Sequence, residues 1–553
     1  MDISMKNKNI KDLFYLVVFF LLCFSIPLCF LGKYGQQGEF TFILMTSFCV
    51  IAFFAEKKTD DNLKPNYSPL VFLCFNVFIL SLIFSSCFSP QPAESIYAAS
   101  YWVILSFFVY YSSNVIVDQP YLKKFIPSMI VAGLILYLIL LFYLFYHIDF
   151  KLTAFTFPVL NYVRAFGIIM GAGALIAFLK GVETQSSYTR RLIFFAISTI
   201  FFSAVFWSGT RTAIFAGFCT LVTIVLIRKT LFDVRNLFSL TLCLFLAILI
   251  SFAVDLDLPF LGIKRIIYQT SSEGLAVESV GSGRFPVWFE YLDHLKNYFW
   301  AGIGEYSHHL ILDEPKIFRD HPENFFLFFL TNWGIFGAIS MTVLVLWVVN
   351  LSVRATKEAK EFSAIPVTVY FYLLYASAIE AGFYRFTDRT WFALFAAIVI
   401  ASNIRSPSSL KIKSYVKVFY IILFTSSILL RFIGIYEKNV AFSQDPKTLY
   451  QAKLVELYPV HLSKWVRHSH FVKYNLALFN EFPDEKRGML QHLSEICSTK
   501  SCRDFSRAML AVQDGDLEFV ERYLDDFSED SPPDELFYKN RLCVIINEKN
   551  IVH

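Results

Sequence analysis

Charge is what this 553-residue sequence has least of: Asp, Glu, Lys and Arg make up 17% of it, while 56% is hydrophobic and Phe alone occurs 63 times. A soluble fold of this length needs more charge, so for most of its length the chain fits a membrane protein. A strong excess of one sign is missing too. The net charge is only +4, and nothing in its distribution suggests nucleic acid. There is no fixed-period repeat. No small-x-small cleavage site follows the first apolar segment, which therefore reads as an uncleaved first span.

What the sequence does have is a succession of apolar runs, a bilayer crossing needing about 20 residues. They lie near 13–31, 38–55, 69–88, 96–116, 125–146, 165–179, 191–207, 210–227, 236–255, 324–350, 365–383, 390–403 and 414–435. The expectation is an all-α polytopic membrane protein of about 12–13 transmembrane helices. Its organisation follows: spans one to nine over 1–255, a large external loop over 256–323, spans ten to thirteen over 324–435, and a polar region over 436–553. A loop that long is expected to carry function. The last region contains amphipathic stretches such as "DLEFVERYLDDF" broken by Pro and Gly, and reads as a small helical domain.

The basic residues orient the spans. Alternate connections hold Lys57/Lys58/Lys64, Lys123/Lys124, Lys180/Arg190/Arg191, Arg228/Lys229/Arg235 and Arg354/Lys357/Lys360, whereas the connections between them hold only Lys33, Lys151, Arg164, Arg211, Arg385 and Arg389. By the positive-inside rule the amino terminus and the basic connections are cytoplasmic, and an odd number of spans puts the carboxy-terminal region outside. Of the ten cysteines, seven lie in or near spans, where Cys acts as a small apolar side chain. Cys497, Cys502 and Cys543 lie in the tail; if the tail is periplasmic, Cys497 and Cys502 in "EICSTKSCRD" either form a disulfide or remain thiols.

Polar side chains on the outer face are then the candidates for chemistry. "FRDHPENFFLFFLTNWGIFGA" (318–338) runs from His321, Glu323 and Asn324 straight into an apolar helix. "FWSGTRTAIFAGF" (206–218) puts Arg211 at a helix start behind Ser208, Gly209 and Thr210, where exposed N–H groups and the positive dipole end suit a phosphate. An arginine snorkelling to the interface would occupy the same place, so partners are needed. "VGSGRFPVWFEYLDHLKNYFWAGIGEYSHH" supplies Arg284, an amphipathic helix with Trp288, Tyr291, Leu292 and Leu295, and the tight turn Gly302-Ile303-Gly304. That Gly-x-Gly follows no strand, so a dinucleotide site is unsupported. His308, His309 and His321 fit no standard zinc spacing, and no metal is expected. Arg164, Arg385 and Arg389 are further external arginines within reach of a glycan or diphosphate.

The blocks "WSGTR", "SGRFPVW" with "GIGEY", and "HPENFFLFFLTNWGIFG", in that order and all external, resemble the signature blocks of the bacterial O-antigen ligase and polymerase superfamily, which includes the protein O-oligosaccharyltransferases that glycosylate pilins. The resemblance spans roughly 160 to 400. It implies a GT-C-like, metal-independent, inner-membrane glycosyltransferase with no cofactor and a large periplasmic loop. It also implies transfer of a glycan from undecaprenyl diphosphate to a hydroxyl acceptor. Arg211 and Arg284 match the arginines that hold the donor diphosphate, and His321 lies in the block carrying the family's base. Many relatives read His-x-His-Asn there, whereas this chain has Glu323 beside Asn324, so the base is His321 or Glu323. Attack on the face opposite the diphosphate would invert the anomeric centre.

The acceptor divides the alternatives. About 118 residues follow the last span, as is common among protein O-oligosaccharyltransferases, which favours a pilin-like protein. Ligation to lipid A core and polymerisation are the alternatives. A transporter is the reading from a different class, but transporters show internal repeats and polar residues near mid-span, and here the polar candidates gather at the outer interface.

Overall fold

The structure, a computed structural model, describes residues 3–31, 37–55, 69–90, 92–147, 160, 163–183, 187–228, 233–253, 284–305, 322–358, 364–380, 386–403, 418–429, 507–508, 510–511 and 516–525. The helices run α1 Ile3–Cys23, α2 Ser25–Leu31, α3 Gln37–Ala55, α4 Pro69–Cys87, α5 Pro92–Asp118, α6 Leu122–His147, α7 Val163–Glu183, α8 Tyr188–Trp207, α9 Arg211–Ile227 and α10 Val234–Ala253. They continue with α11 Arg284–His294, α12 Phe325–Glu358, α13 Ile365–Ile379, α14 Phe386–Asn403, α15 Val418–Leu429 and α16 Leu517–Asp525. Each of the thirteen expected spans overlaps a helix, and seven described helices are long and apolar enough to cross a membrane. No strand occurs among the described residues. The chain is an all-α polytopic membrane protein.

The chain divides into two compact units: residues 1–85, 101–303 and 316–425, and residues 86–100, 304–315 and 426–553. Within the second, Ser95 Oγ donates to the Glu305 carbonyl at 2.9 Å, and α16 carries an exposed Arg522–Glu518 pair at 3.1 Å. Most of the expected loop 256–323 and tail 436–553, with Cys497, Cys502 and Cys543, lies outside the described residues.

The first unit is organised around α7, which is buried along nearly its whole length. Its sequence "FGIIMGAGALIAF" is rich in Gly and Ala, and small side chains let neighbouring helices approach closely in an apolar solvent, where packing replaces the hydrophobic effect. At Gly167 the closeness is absolute: a Cβ there would stand 2.5 Å from both Ser208 Oγ and Thr210 Oγ1. That approach seats the turn before α9 on the first turns of α7, and so fixes the start of α9 near Arg164.

Hydrogen bonds of charged side chains gather at the two ends of this bundle. At one end Lys123 donates to the Ala401 carbonyl at 3.1 Å, Lys180 to the Lys124 carbonyl at 3.0 Å, Gln119 to Asp12 at 2.6 Å, and the Ala364 N–H to Glu183 at 2.8 Å. These are the basic connections. The residues expected on the opposite side, Arg164, Arg211, Arg284, Glu323 and Asn324, stand at the helix ends remote from them, as alternating spans require.

Helix α12 is broken at Gly334, whose φ of 66° and ψ of −174° lie in a region open essentially to glycine alone. An unbroken helix would bond the Ile335 N–H to the Thr331 carbonyl. Here the Ile335 N–H donates instead to the Phe299 carbonyl at 2.8 Å, and the Thr331 carbonyl accepts from the Ile303 N–H at 2.8 Å. One helical bond is exchanged for two that clasp segment 299–303, in the unit that carries α11, to the broken helix. A Cβ on Gly334 would overlap the Trp300 carbonyl.

Gly334→Ala is therefore expected to destabilise the protein by about 2 kcal/mol or more, read as a lowered melting midpoint in detergent; an unchanged midpoint would mean that the clasp contributes nothing. The segregation of the two ends is checked by single cysteines on a cysteine-free background. Ser187→Cys and Phe285→Cys are expected to react with an impermeant maleimide from opposite faces of sealed membranes.

Candidate functional site

Three helix starts meet at the end of the bundle remote from the basic connections. Arg284 opens α11, Arg164 is the second residue of α7, and Arg211 with Thr212 opens α9. A cation at a helix amino terminus opposes the dipole of its own helix. Such an arrangement is stable only if anions arrive from elsewhere in the fold, and two do. Glu323 stands before the cap of α12, and Glu380 follows the last residue of α13.

The four side chains close into a ring of alternating charge. Arg284 donates from Nε to Glu323 at 2.7 Å and from Nη2 to Glu380 at 2.9 Å. Arg164 Nη1 lies 3.3 Å from Glu323 and 3.3 Å from Glu380. The Thr212 hydroxyl adds a donor to Glu380 at 3.2 Å. The formal charges cancel, but the convergent positive ends of α7, α9 and α11 do not. Arg284 is only 14% exposed and the two glutamates 6% and 4%. Breaking one limb between these three costs about 3–5 kcal/mol, because it leaves a buried charge alone. Arg164, 39% exposed, counts for less because water screens it.

Two anchors hold the Glu323 corner. Trp288, one turn beyond Arg284 on the same face of α11, donates from Nε1 to the Pro322 carbonyl at 2.6 Å. Val287, Tyr291 and Leu295 are buried along that face, but Leu292, read as part of the apolar face, is exposed. Asn324 then caps α12: its Oδ1 accepts from the N–H groups of Phe326 and Leu327 at 3.0 and 3.1 Å. Its Nδ2 donates to the Ala378 carbonyl at 3.0 Å, tying α12 to the end of α13 two residues before Glu380. Between these anchors Glu323 takes φ 46°, the left-handed region that L side chains rarely adopt.

The structure thus brings together Arg284, Arg164, Glu323 and Asn324 from the sequence-derived candidates. Arg211 begins α9 beside Thr212 of this site. Arg389 occupies a different setting: it is 1% exposed, its guanidinium 4.6 Å from the Trp102 ring centroid and 5.6 Å from that of Phe328. A cation between aromatic faces is held by their quadrupoles, so Arg389 supports the aromatic packing beneath α12. His321 and Arg385 lie outside the described residues, as do His308 and His309. Among the described residues no group of His, Cys, Asp and Glu has the arrangement of a metal site.

Sequence reading missed Glu380 and Thr212. A signal for Glu380 was there, since it is an ionisable residue inside the apolar stretch 365–383, where such residues mark functional sites. Thr212 carried none, being one hydroxyl among many.

Comparison with known proteins gives one family. Residues 195–342 match the family model described as O-antigen ligase, a family of glycosyltransferase-like enzymes; no curated protein matches the chain. The match includes Arg211, Thr212, Arg284, Glu323 and Asn324, whereas Arg164 and Glu380 lie beyond its ends.

Asn324→Ala removes both the cap and the tie to Ala378, an expected loss of about 1–2 kcal/mol. Asn324→Asp keeps the capping oxygen and loses only the tie. A midpoint ranking of wild type, then Asp, then Ala in thermal unfolding checks the two roles; equal midpoints would remove both.

Proposed function

We propose, from the O-antigen ligase match over 195–342 and the arginine-rich cluster it partly covers, that this protein moves an oligosaccharide from undecaprenyl diphosphate to a hydroxyl acceptor. The acceptor we favour is Ser or Thr of a protein such as pilin. The observation that carries the reading is the ring itself. Guanidinium groups on the starts of α7 and α11, with Arg211 on α9, supply the charge and the N–H donors that a diphosphate leaving group needs.

The chemistry assigns the roles. A lipid-linked sugar leaves readily once the charge on its diphosphate is offset, which Arg211 and Arg284 do, joined by Arg164. The bond between the anomeric carbon and the diphosphate oxygen breaks, the diphosphate keeps the electron pair, and the acceptor oxygen bonds the carbon from the opposite face. Its proton goes to His321 or Glu323. Inversion follows from that geometry, and neither a metal nor a cofactor is assigned a role.

The basic residues at the far end support a periplasmic site in a bacterial inner membrane, with the amino terminus cytoplasmic. The region 436–553, too long for a simple terminus, is proposed as a helical periplasmic domain that receives the protein acceptor. Ligation to lipid A core is the second reading, and the description of the matching family favours it.

The test is transfer by purified protein from glycan-loaded undecaprenyl diphosphate, in EDTA, to a pilin-like protein and separately to lipid A core. Arg211→Ala, Arg284→Ala, His321→Ala and Glu323→Ala are compared with wild type. Loss of about a hundredfold or more in the arginine variants is expected, and whichever of the last two is the more damaging names the base. Transfer to neither acceptor, or activity indifferent to all four changes, would reject the reading and turn attention to transport.

A further inference from the structure

In this structure two of the three arginines that the proposed function assigns to the diphosphate, Arg284 and Arg164, are already engaged by carboxylates. Arg284 spends Nε on Glu323 and Nη2 on Glu380, at 2.7 and 2.9 Å. Arg164 reaches the same two residues at 3.3 Å each. A diphosphate diester brings two negative charges to a ring whose formal charge is zero. If it merely added to the ring, it would stand beside two glutamates, and like charges at that range repel. Withdrawal of one carboxylate relieves that repulsion.

From this geometry we propose that Glu323 is an internal stand-in for phosphate, occupying the guanidiniums of Arg164 and Arg284 until the donor diphosphate displaces it. The inference rests on the diphosphate reading above. Two observations select Glu323 over Glu380. Glu380 has the Thr212 hydroxyl as a further donor at 3.2 Å, so its place is held by α9 as well as by the arginines. Glu323 instead occupies a left-handed turn position at φ 46°, which L side chains rarely adopt and which costs energy to hold. Access favours exchange at the ring in general: the guanidinium side chains are 39% and 14% exposed and the carboxylates 6% and 4%. An anion arriving from outside meets the arginines first and the glutamates form the floor.

The exchange involves no covalent change. The arginines trade a carboxylate for a phosphoryl oxygen, and Glu323 is set free beside the donor at the moment the donor is seated. Until then the paired ring avoids leaving bare guanidiniums at a membrane interface, where any anionic lipid headgroup would compete for them. Donor affinity is thus lower than the arginines alone would provide, and the carboxylate sets how much lower.

The test measures binding of inorganic pyrophosphate, and separately of undecaprenyl diphosphate, to the full-length protein in detergent by calorimetry. Glu323→Gln keeps the size of the side chain and removes its charge; it is expected to bind both probes about tenfold more tightly than wild type. Glu380→Gln is expected to bind them no more tightly, and Arg284→Ala to lose binding. Tightening towards undecaprenyl diphosphate alone would mean that the lipid, not the diphosphate, drives the exchange, and would overturn it.

A second measurement needs no variant. In wild type, carbodiimide labelling of Glu323 read by mass spectrometry is expected to rise when undecaprenyl diphosphate is added, while labelling of Glu380 stays constant. Unchanged or weaker binding by a Glu323→Gln protein that elutes and melts like wild type would overturn the exchange, as would unchanged labelling of Glu323. If wild type still transfers glycan in that case, the proposed function stands without the exchange. If wild type neither binds a diphosphate nor transfers, both fall.

Discussion

A charged side chain at the edge of a membrane has to be paired, and the architecture of this protein follows from how it pairs four of them. Arg164 and Arg284 sit at the positive ends of their own helices and Glu380 at the negative end of its own, positions that each helix in isolation disfavours. The mismatch is resolved only across the bundle. Because α7, α9, α11, α12 and α13 each contribute a group, a shift of any of them along its axis would break the ring, and the ring holds them in register. With carboxylates 6% and 4% exposed, the alternative to pairing is a buried lone charge, which a marginally stable fold cannot carry.

The rest of the packing serves that constraint. Glycine and alanine on α7 let the turn before α9 close onto it, so that Thr212 reaches Glu380. The helix break at Gly334 clasps segment 299–303, and Trp288 holds the Pro322 carbonyl from the other side. Segment 284–303 is therefore fixed at both ends, although it belongs to a long connection between spans. That converts Arg284 from a loop residue into one as firmly placed as any on a span. Below it, Arg389 among Trp102 and Phe328 joins α14 to the aromatic layer under the α12 cap.

Chemically, the outcome is a site with little formal charge and a strong orientation of dipoles. The donor proposed above, half lipid and half sugar diphosphate, would present its charge at one depth only, where the hydrocarbon ends. The ring lies on the end of the bundle away from the basic connections, and the O-antigen ligase match covers two of its four members, Arg284 and Glu323. The two members outside the match, Arg164 and Glu380, extend the site onto α7 and α13, helices that the family model does not reach.

Much of this could be read in the sequence because its causes are local. Long apolar runs determine helices in a bilayer, where every backbone group must bond within its own segment. Alternating basic connections determine which helix ends share a side, and that placed Arg211, Arg284, His321 and Glu323 on the same expected side. The break at Gly334 and the role of Glu380 were not legible in the same way. Gly334 sits in an apolar stretch that any helix would accept, and only the clasp of Phe299 and Ile303 makes it a break. Glu380 is one carboxylate near the end of one span, and its meaning depends on Arg164 and Arg284, 216 and 96 residues away in the chain. By itself the sequence determined the class of protein, its apolar helices and which helix ends carry the polar candidates. The tertiary structure alone decided which charges neutralise which, because a pairing energy depends on the distance between groups that only the packed helices bring together.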